Sequence, residues 1–314
     1  MAQLKGKMVR QLTSATLKEL APAYINYIDR EIKLRDIESI IAYVNKQEKI
    51  GRKTNSENLS DPLSLASLSI SCTGLLALSM YSEEQKAQFF PIDWLSNSAR
   101  PNANHIMQCM LTQLTNYSLG AITLLEMGLD NPARALCRLI YELSHQILAL
   151  TFSRDIFKLY IEGHDEKSST KIWHQLFAHG KLNKHLNSIE EMLGFDAQLR
   201  AYMLSMRKEN YEYYSQDVHH SFIANTVGSY FPKFDGTSLP LGVFGGENST
   251  IESTVRYLNF SLWYFLLCYF AILDKQHSVL QQDPQNPRDR FWQDACAMYF
   301  CIKDSYLSLY TKAS

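Results

Sequence analysis

Apolar residues recur along this chain at three- and four-residue steps, the period of a helix buried along one face. Ile25, Ile28 and Ile32 begin the series, Ile37, Ile41 and Val44 continue it, and Tyr211, Tyr214 and Val218 repeat it downstream. No convincing run alternates with the period of two that a strand requires. Three pairs put a capping side chain before a proline: Asp61-Pro62, Asn131-Pro132 and Asn286-Pro287. Ser82 with Gln85, Asn187 with Glu190, and Ser249 with Glu252 have capping-box spacing, and Gly194 reads as a C-terminal stop.

This pattern predicts helices over 14–48, 62–80, 83–90, 103–128, 132–152, 154–180, 187–193, 196–226, 250–280 and 287–311. The expected fold is all-α, a single elaborated helical bundle of about ten helices. Residues 49–60 are polar and read as a loop, so 1–60 form an N-terminal helical arm and polar loop, and 61–314 the bundle domain. Residues 228–248 read as one long Gly/Pro-rich loop, a length at which loops often carry function.

Composition narrows the class. Of 314 residues 46% are hydrophobic and 20% charged, enough apolar material for a globular core. The net charge of −1 removes any overall basic field that would draw the chain to nucleic acid or anionic lipid, while leaving a local patch open. None of the six cysteines forms a C-x-x-C pair and most stand among apolar residues, so buried, reduced thiols are expected. The N-terminus lacks the long apolar run of a secretory signal, and a cytoplasmic location is expected. Three stretches are free of Asp, Glu, Lys and Arg: Pro62–Ser82, Pro101–Leu125 and Tyr257–Leu273. Serines dilute the first and Asn and Gln the second. The wholly apolar part of the third begins at Ser261 and is shorter than the ~20 residues of a span. Buried core helices, and no membrane partner, are the expectation.

Candidate chemistry concentrates on the helix from Pro132 to Phe152. Apart from Arg134, Arg138, Glu142 and His145 it is almost wholly apolar, and at about 100° per residue these four fall within about 80° of one another. Such a narrow polar seam predicts an inner helix whose stripe meets a specific polar partner. Arg138 and Glu142 are spaced to satisfy each other. Alternatively, Arg134 and Arg138, one turn apart, make a fork for an anionic ligand, with His145 as proton donor or acceptor. Ser215 and His219 share a face of a later helix and would reach the seam if the two helices pack together.

The run Asn131-Pro-Ala-Arg-Ala-Leu-Cys-Arg-Leu-Ile-Tyr-Glu-Leu resembles the signature helix, Arg-Ala-Leu-x-Arg-x-x-x-Glu, of an uncharacterised bacterial all-helical domain family. In that family a Ser/His-containing helix follows much later, as Tyr214-Ser-Gln-Asp-Val-His-His-Ser does here, and the likeness spans roughly 105–275. It implies a fold more than an activity. More remotely, Arg138 and His145 are similar to the Arg-x4–6-His motif of HEPN ribonucleases, although Leu139 stands where a polar residue often follows the arginine. That resemblance implies metal-independent RNA cleavage across a dimer, with Arg138 and His145 as catalytic residues.

Other constellations are weaker. Asp217, His220 and Ser221 lie together without a nucleophile elbow. His164, His174, His179 and His185 lack the i,i+4 spacing of helical zinc ligands, and no cofactor or metal is expected. Gly245-Gly246 lacks dinucleotide or phosphate-loop spacing. Two functions remain open. One is a cytosolic binding or regulatory protein, homodimeric in one arrangement, using Arg134, Arg138, Glu142, Ser215 and His219. The other is a HEPN-like ribonuclease.

Overall fold

The all-α expectation holds. A computed structural model describes residues 34–80, 103–163, 165–178, 180–218, 250–277 and 290–310, and among them are ten helices and no strand. They are α1 (Leu34–Asn58), α2 (Ser60–Ser79), α3 (Ala103–Glu126), α4 (Asp130–Phe152) and α5 (Arg154–Tyr160). There follow α6 (Glu166–Leu176), α7 (Lys181–Leu193), α8 (Ala197–Val218), α9 (Ile251–His277) and α10 (Arg290–Tyr310). The expected helix over 83–90 and the expected loop over 228–248 lie outside the described residues, as do His164, His179, His219, His220 and Ser221.

Helix α9 is apolar around its whole circumference and therefore sits at the centre. Leu258, Leu262, Tyr264, Phe265, Leu266, Tyr269 and Phe270 point in every direction, yet all are buried. Around it pack α2, α3, α4, α7 and α10. Helices α2 and α9 are long and apolar enough to cross a membrane by length and composition, but 56% and 78% of their most apolar windows are covered by the rest of the chain. Serine and threonine enter these interfaces because each hydroxyl donates back to a carbonyl of its own helix. Ser69 bonds Leu65 O (2.9 Å), Thr73 bonds Ser69 O (2.9 Å) and Ser118 bonds Leu114 O (2.7 Å).

Four local expectations need correction. Residues 49–58 are helical, the last turns of α1, because tertiary partners replace the loop chemistry the sequence suggests. Asn55 is buried and donates to the Leu125 and Glu126 carbonyls, satisfying the C-terminal end of α3, while Arg52 pairs with Glu48 and Glu126. The single helix over 154–180 is two. At Gly163 an added Cβ would stand 3.1 Å from Ser169 Cα, and Asp165 with Ser168 then forms a true capping box that starts α6. Asn187 and Glu190 do not open a helix, since α7 already begins at Lys181 after a left-handed Gly180; both belong to a buried network described below. Finally, α2 begins at Ser60 and α4 at Asp130, each after a leucine without a side-chain cap, so Asp61 and Asn131 lie inside the first turn.

The Gly194 stop is present. Its φ of +81° lets its N–H reach the Glu190 and Glu191 carbonyls. Gly194→Ala is expected to lower unfolding free energy by about 1 kcal/mol in a denaturant titration, because an L side chain is disfavoured in that backbone region.

Candidate functional site

The seam is answered inside the chain. At its N-terminal end Arg134 is buried and its Nη2 lies 2.6 Å from Asp130, one turn earlier on α4. Asp130 also accepts from Thr250 and from Thr254 (2.6 Å) near the start of α9, and Arg134 Nε donates to Thr254 (3.3 Å). The Tyr213 ring of α8 covers the guanidinium at 4.2 Å. This cluster ties α4, α8 and α9 together.

One turn further, Arg138 faces α8. Its Nε and Nη2 both reach Glu142 Oε1 (2.8 and 2.7 Å), and its Nη1 donates to Ser215 Oγ (2.5 Å) and the Tyr211 carbonyl (3.3 Å). The guanidinium also stacks 3.5 Å from the centre of the Tyr211 ring. The structure thus brings Ser215 to the seam, while His219 lies outside the described residues. The open two-arginine fork expected for an anion is not formed. Arg134 and Arg138 each hold a carboxylate of their own and turn to different partners.

His145 leaves the seam for the core. It is buried, its ring meets Tyr141 edge-on at 4.1 Å and Tyr264 at 5.8 Å, and its Nδ1 has no hydrogen-bond partner among the described residues. Burial, reinforced by the Arg207 charge, holds its pKa well below the ordinary value and keeps the imidazole neutral. Beside it lies a second network, in which Arg207, Glu190 and Tyr264 are buried and Asn187 is half-buried. Arg207 of α8 pairs with Glu190 of α7 and donates to Asn187 Oδ1 (3.0 Å) and Tyr264 OH (3.0 Å), and Tyr264 in turn donates to Glu190 (2.7 Å). Burial drives the Tyr264 phenol well above its usual range, so it remains a donor.

Between α4, α6, α8 and the start of α7 the helices leave a cleft of about 780 Å3, the size of a small-molecule site. Helix α4 lines it with Tyr141, Glu142 and Gln146, and α6 and the following turn with Trp173, His174 and Phe177. Leu182 and Asn183 come from α7, and Leu204, Lys208, Tyr211 and Glu212 from α8. Glu142 is where the seam meets this space. Neither Arg138 nor His145 lines it. Of its aromatic residues, Trp173 is 39% and Tyr211 45% exposed. A smaller groove lies between α2 and α3, where Gly74 and Thr115 meet.

Sequence reasoning missed Asp130, Thr254, Glu190, Arg207 and Trp173. Asp130 and Arg134 are an i,i+4 pair in the favourable order and were readable. On α8 the buried series Met203, Met206, Arg207, Asn210, Tyr214 keeps one helical phase, and Arg207 sits in it. That placement was the available signal. The thiols also divide by phase: Cys72, Cys137 and Cys268 are buried, but Cys109 and Cys301 are exposed and Cys296 is half-buried, contrary to uniform burial. Cys109 stands beside His105 on the outer side of α3. Among the described residues no group of three or more His, Cys, Asp or Glu is placed to hold a metal ion.

Arg207→Met is expected to destabilise the fold by about 3–5 kcal/mol, because it leaves Glu190 charged and enclosed. The double variant Glu190→Leu/Arg207→Met should be much milder, a coupling that denaturant unfolding of the four proteins would measure. His145 sets a second expectation. With its folded pKa depressed, the unfolded chain binds a proton that the folded chain refuses, so stability falls as pH drops below roughly 6.5. The difference in stability between wild type and His145→Phe should change by up to about 1.4 kcal/mol per pH unit below that point and stay flat above it.

Comparison with protein-family models, with curated proteins and with solved structures finds no match to this chain.

Proposed function

We propose that this chain is a cytosolic helical binding or regulatory protein that holds a small ligand in the cleft between α4, α6, α7 and α8. The observation that carries this reading is the cleft itself. It has the volume of a ligand site, walls of Tyr141, Trp173, Phe177 and Tyr211, and a few convergent polar groups led by Glu142. Trp173 and Tyr211, both partly exposed, line that one space. The seam supports this role by fixing the wall. Arg138 clamps Glu142 on α4 to Ser215 and Tyr211 on α8, so the two sides keep their spacing before a ligand arrives.

The cytosolic assignment belongs to the same reading, supported by the burial of most of the apolar surface on α2 and α9. The likeness of the Arg134–Glu142 run to a bacterial helical family remains part of the proposal as well, and it fits the all-α fold. The ribonuclease alternative needs an arginine and a histidine facing one substrate. Arg138 is engaged by Glu142 and Ser215, and His145 is enclosed by Tyr141 and Tyr264, so no observation favours that chemistry.

Naphthalenemethanol, a neutral aromatic probe, is expected to bind saturably and to shift the methyl resonances of Leu182 and Leu204 in an NMR titration. Leu204→Trp, a change at a residue 41% exposed, should weaken that binding at least about tenfold by filling the space while leaving the melting temperature nearly unchanged. Shifts scattered over the surface, or none up to the solubility of the probe, would remove the cleft as a ligand site.

A further inference from the structure

Granting that the cleft is a ligand site, its charge layout selects among ligands. Glu142 is the charged lining side chain set deepest, with its side chain 31% exposed, whereas Lys208 is 75% and Glu212 61% exposed on the rim. Both Arg138 contacts to Glu142 fall on Oε1, and Oε2 accepts no hydrogen bond from the described residues. Arg138 itself does not line the cleft. It is bonded to Ser215 and the Tyr211 carbonyl and lies against the Tyr211 ring, so its charge is held in the wall. Lys208 stands 3.9 Å from Glu212 at the mouth. Among the described residues, no lysine or arginine is therefore fixed inside the space to receive an anionic group, and His174 is the lining imidazole.

The rings point the same way. Tyr141, Trp173 and Tyr211 line the space, and an aromatic face attracts a cation and repels an anion, as the Arg138 guanidinium over one side of Tyr211 illustrates. Gln146, half-buried one turn beyond Glu142 on α4, adds an amide oxygen able to accept from an ammonium N–H. The volume exceeds what a bare ammonium fills, and Leu182, Leu204 and Ala178 line the remainder with apolar surface. We infer that the cleft takes an organic cation, an amine or quaternary ammonium joined to an apolar, ring-sized body, with the charge at Glu142 among the tyrosine and tryptophan faces.

The test uses one naphthalene body carrying three heads in turn: trimethylammonium-methyl, hydroxymethyl and carboxymethyl. Dissociation constants come from calorimetry on the full chain, with the leucine methyl shifts reporting the location. The ammonium compound is expected to bind about tenfold more tightly than the alcohol, and the carboxylate more weakly than the alcohol. Glu142→Gln should bring the ammonium and the alcohol close together. Because that change also releases Arg138, Trp173→Leu, at the lining ring on α6, serves as a second variant. It keeps the apolar wall and every charge but removes one ring face, and it should weaken the ammonium compound several-fold more than the alcohol. If the alcohol binds in the cleft and the ammonium compound binds no better, or the carboxylate binds best, the cation preference is wrong and the ligand site stands. If none of the three binds there, the site fails and the preference with it.

Discussion

A guanidinium with no exposed surface, Arg207, is tolerable in an apolar bundle only while a carboxylate and further acceptors touch it. Glu190, Asn187 and Tyr264 engage its two Nη groups from two other helices, which ties α7, α8 and α9 together. Arg207 Nε and Glu190 Oε2 have no partner among the described residues. His145 depends on the same arrangement, since the Arg207 charge beside it opposes a second positive charge in the core. The neighbouring Asp130–Arg134–Thr254 cluster fixes α4 against α8 and α9 in the same way. Ion pairs of this kind add little net stability compared with well-packed apolar residues, and their effect lies in which helices meet and in what register.

That rigidity explains the cleft. Helices α4 and α8 are held at fixed positions by polar contacts, not drawn together until apolar surfaces close. The short helices α6 and α7, joined through the left-handed turn at Gly180, bridge the remaining side without filling it. The Arg138 clamp lies along the edge of that space. A polar seam on an inner helix therefore ends at a hollow, with its half-exposed carboxylate where protein contacts run out.

Much of this was legible from residue spacing. The helix-forming period, the Gly194 stop, the inner position of the Pro132–Phe152 helix and the approach of Ser215 to the seam all follow from patterns within about two turns of chain. What was not legible depends on partners far away in sequence. Residues 49–58 look like a loop until Asn55 meets the end of α3, and Asn187 with Glu190 looks like a cap until Arg207 arrives. The cleft lies in the same class, because an empty space between four helices has no local pattern. Trp173 reads as packing material in a single helix, and only the fold brings it to the same space as Tyr141 and Tyr211.

Helix α2 carries a consequence of a different kind. Its inner face, with Leu65, Ile70, Cys72 and Leu76, packs on α9 and α10, which lie some two hundred residues later in the chain. At about 5–20 residues per second, a ribosome finishes those covering helices on the order of ten seconds or more after α2 emerges. Through that interval, among the described helices, α1 and α3 are the neighbours present to shield α2, and the face that meets α9 and α10 lacks its final cover. The delay before α2 is covered thus follows from where α9 and α10 stand in the polypeptide.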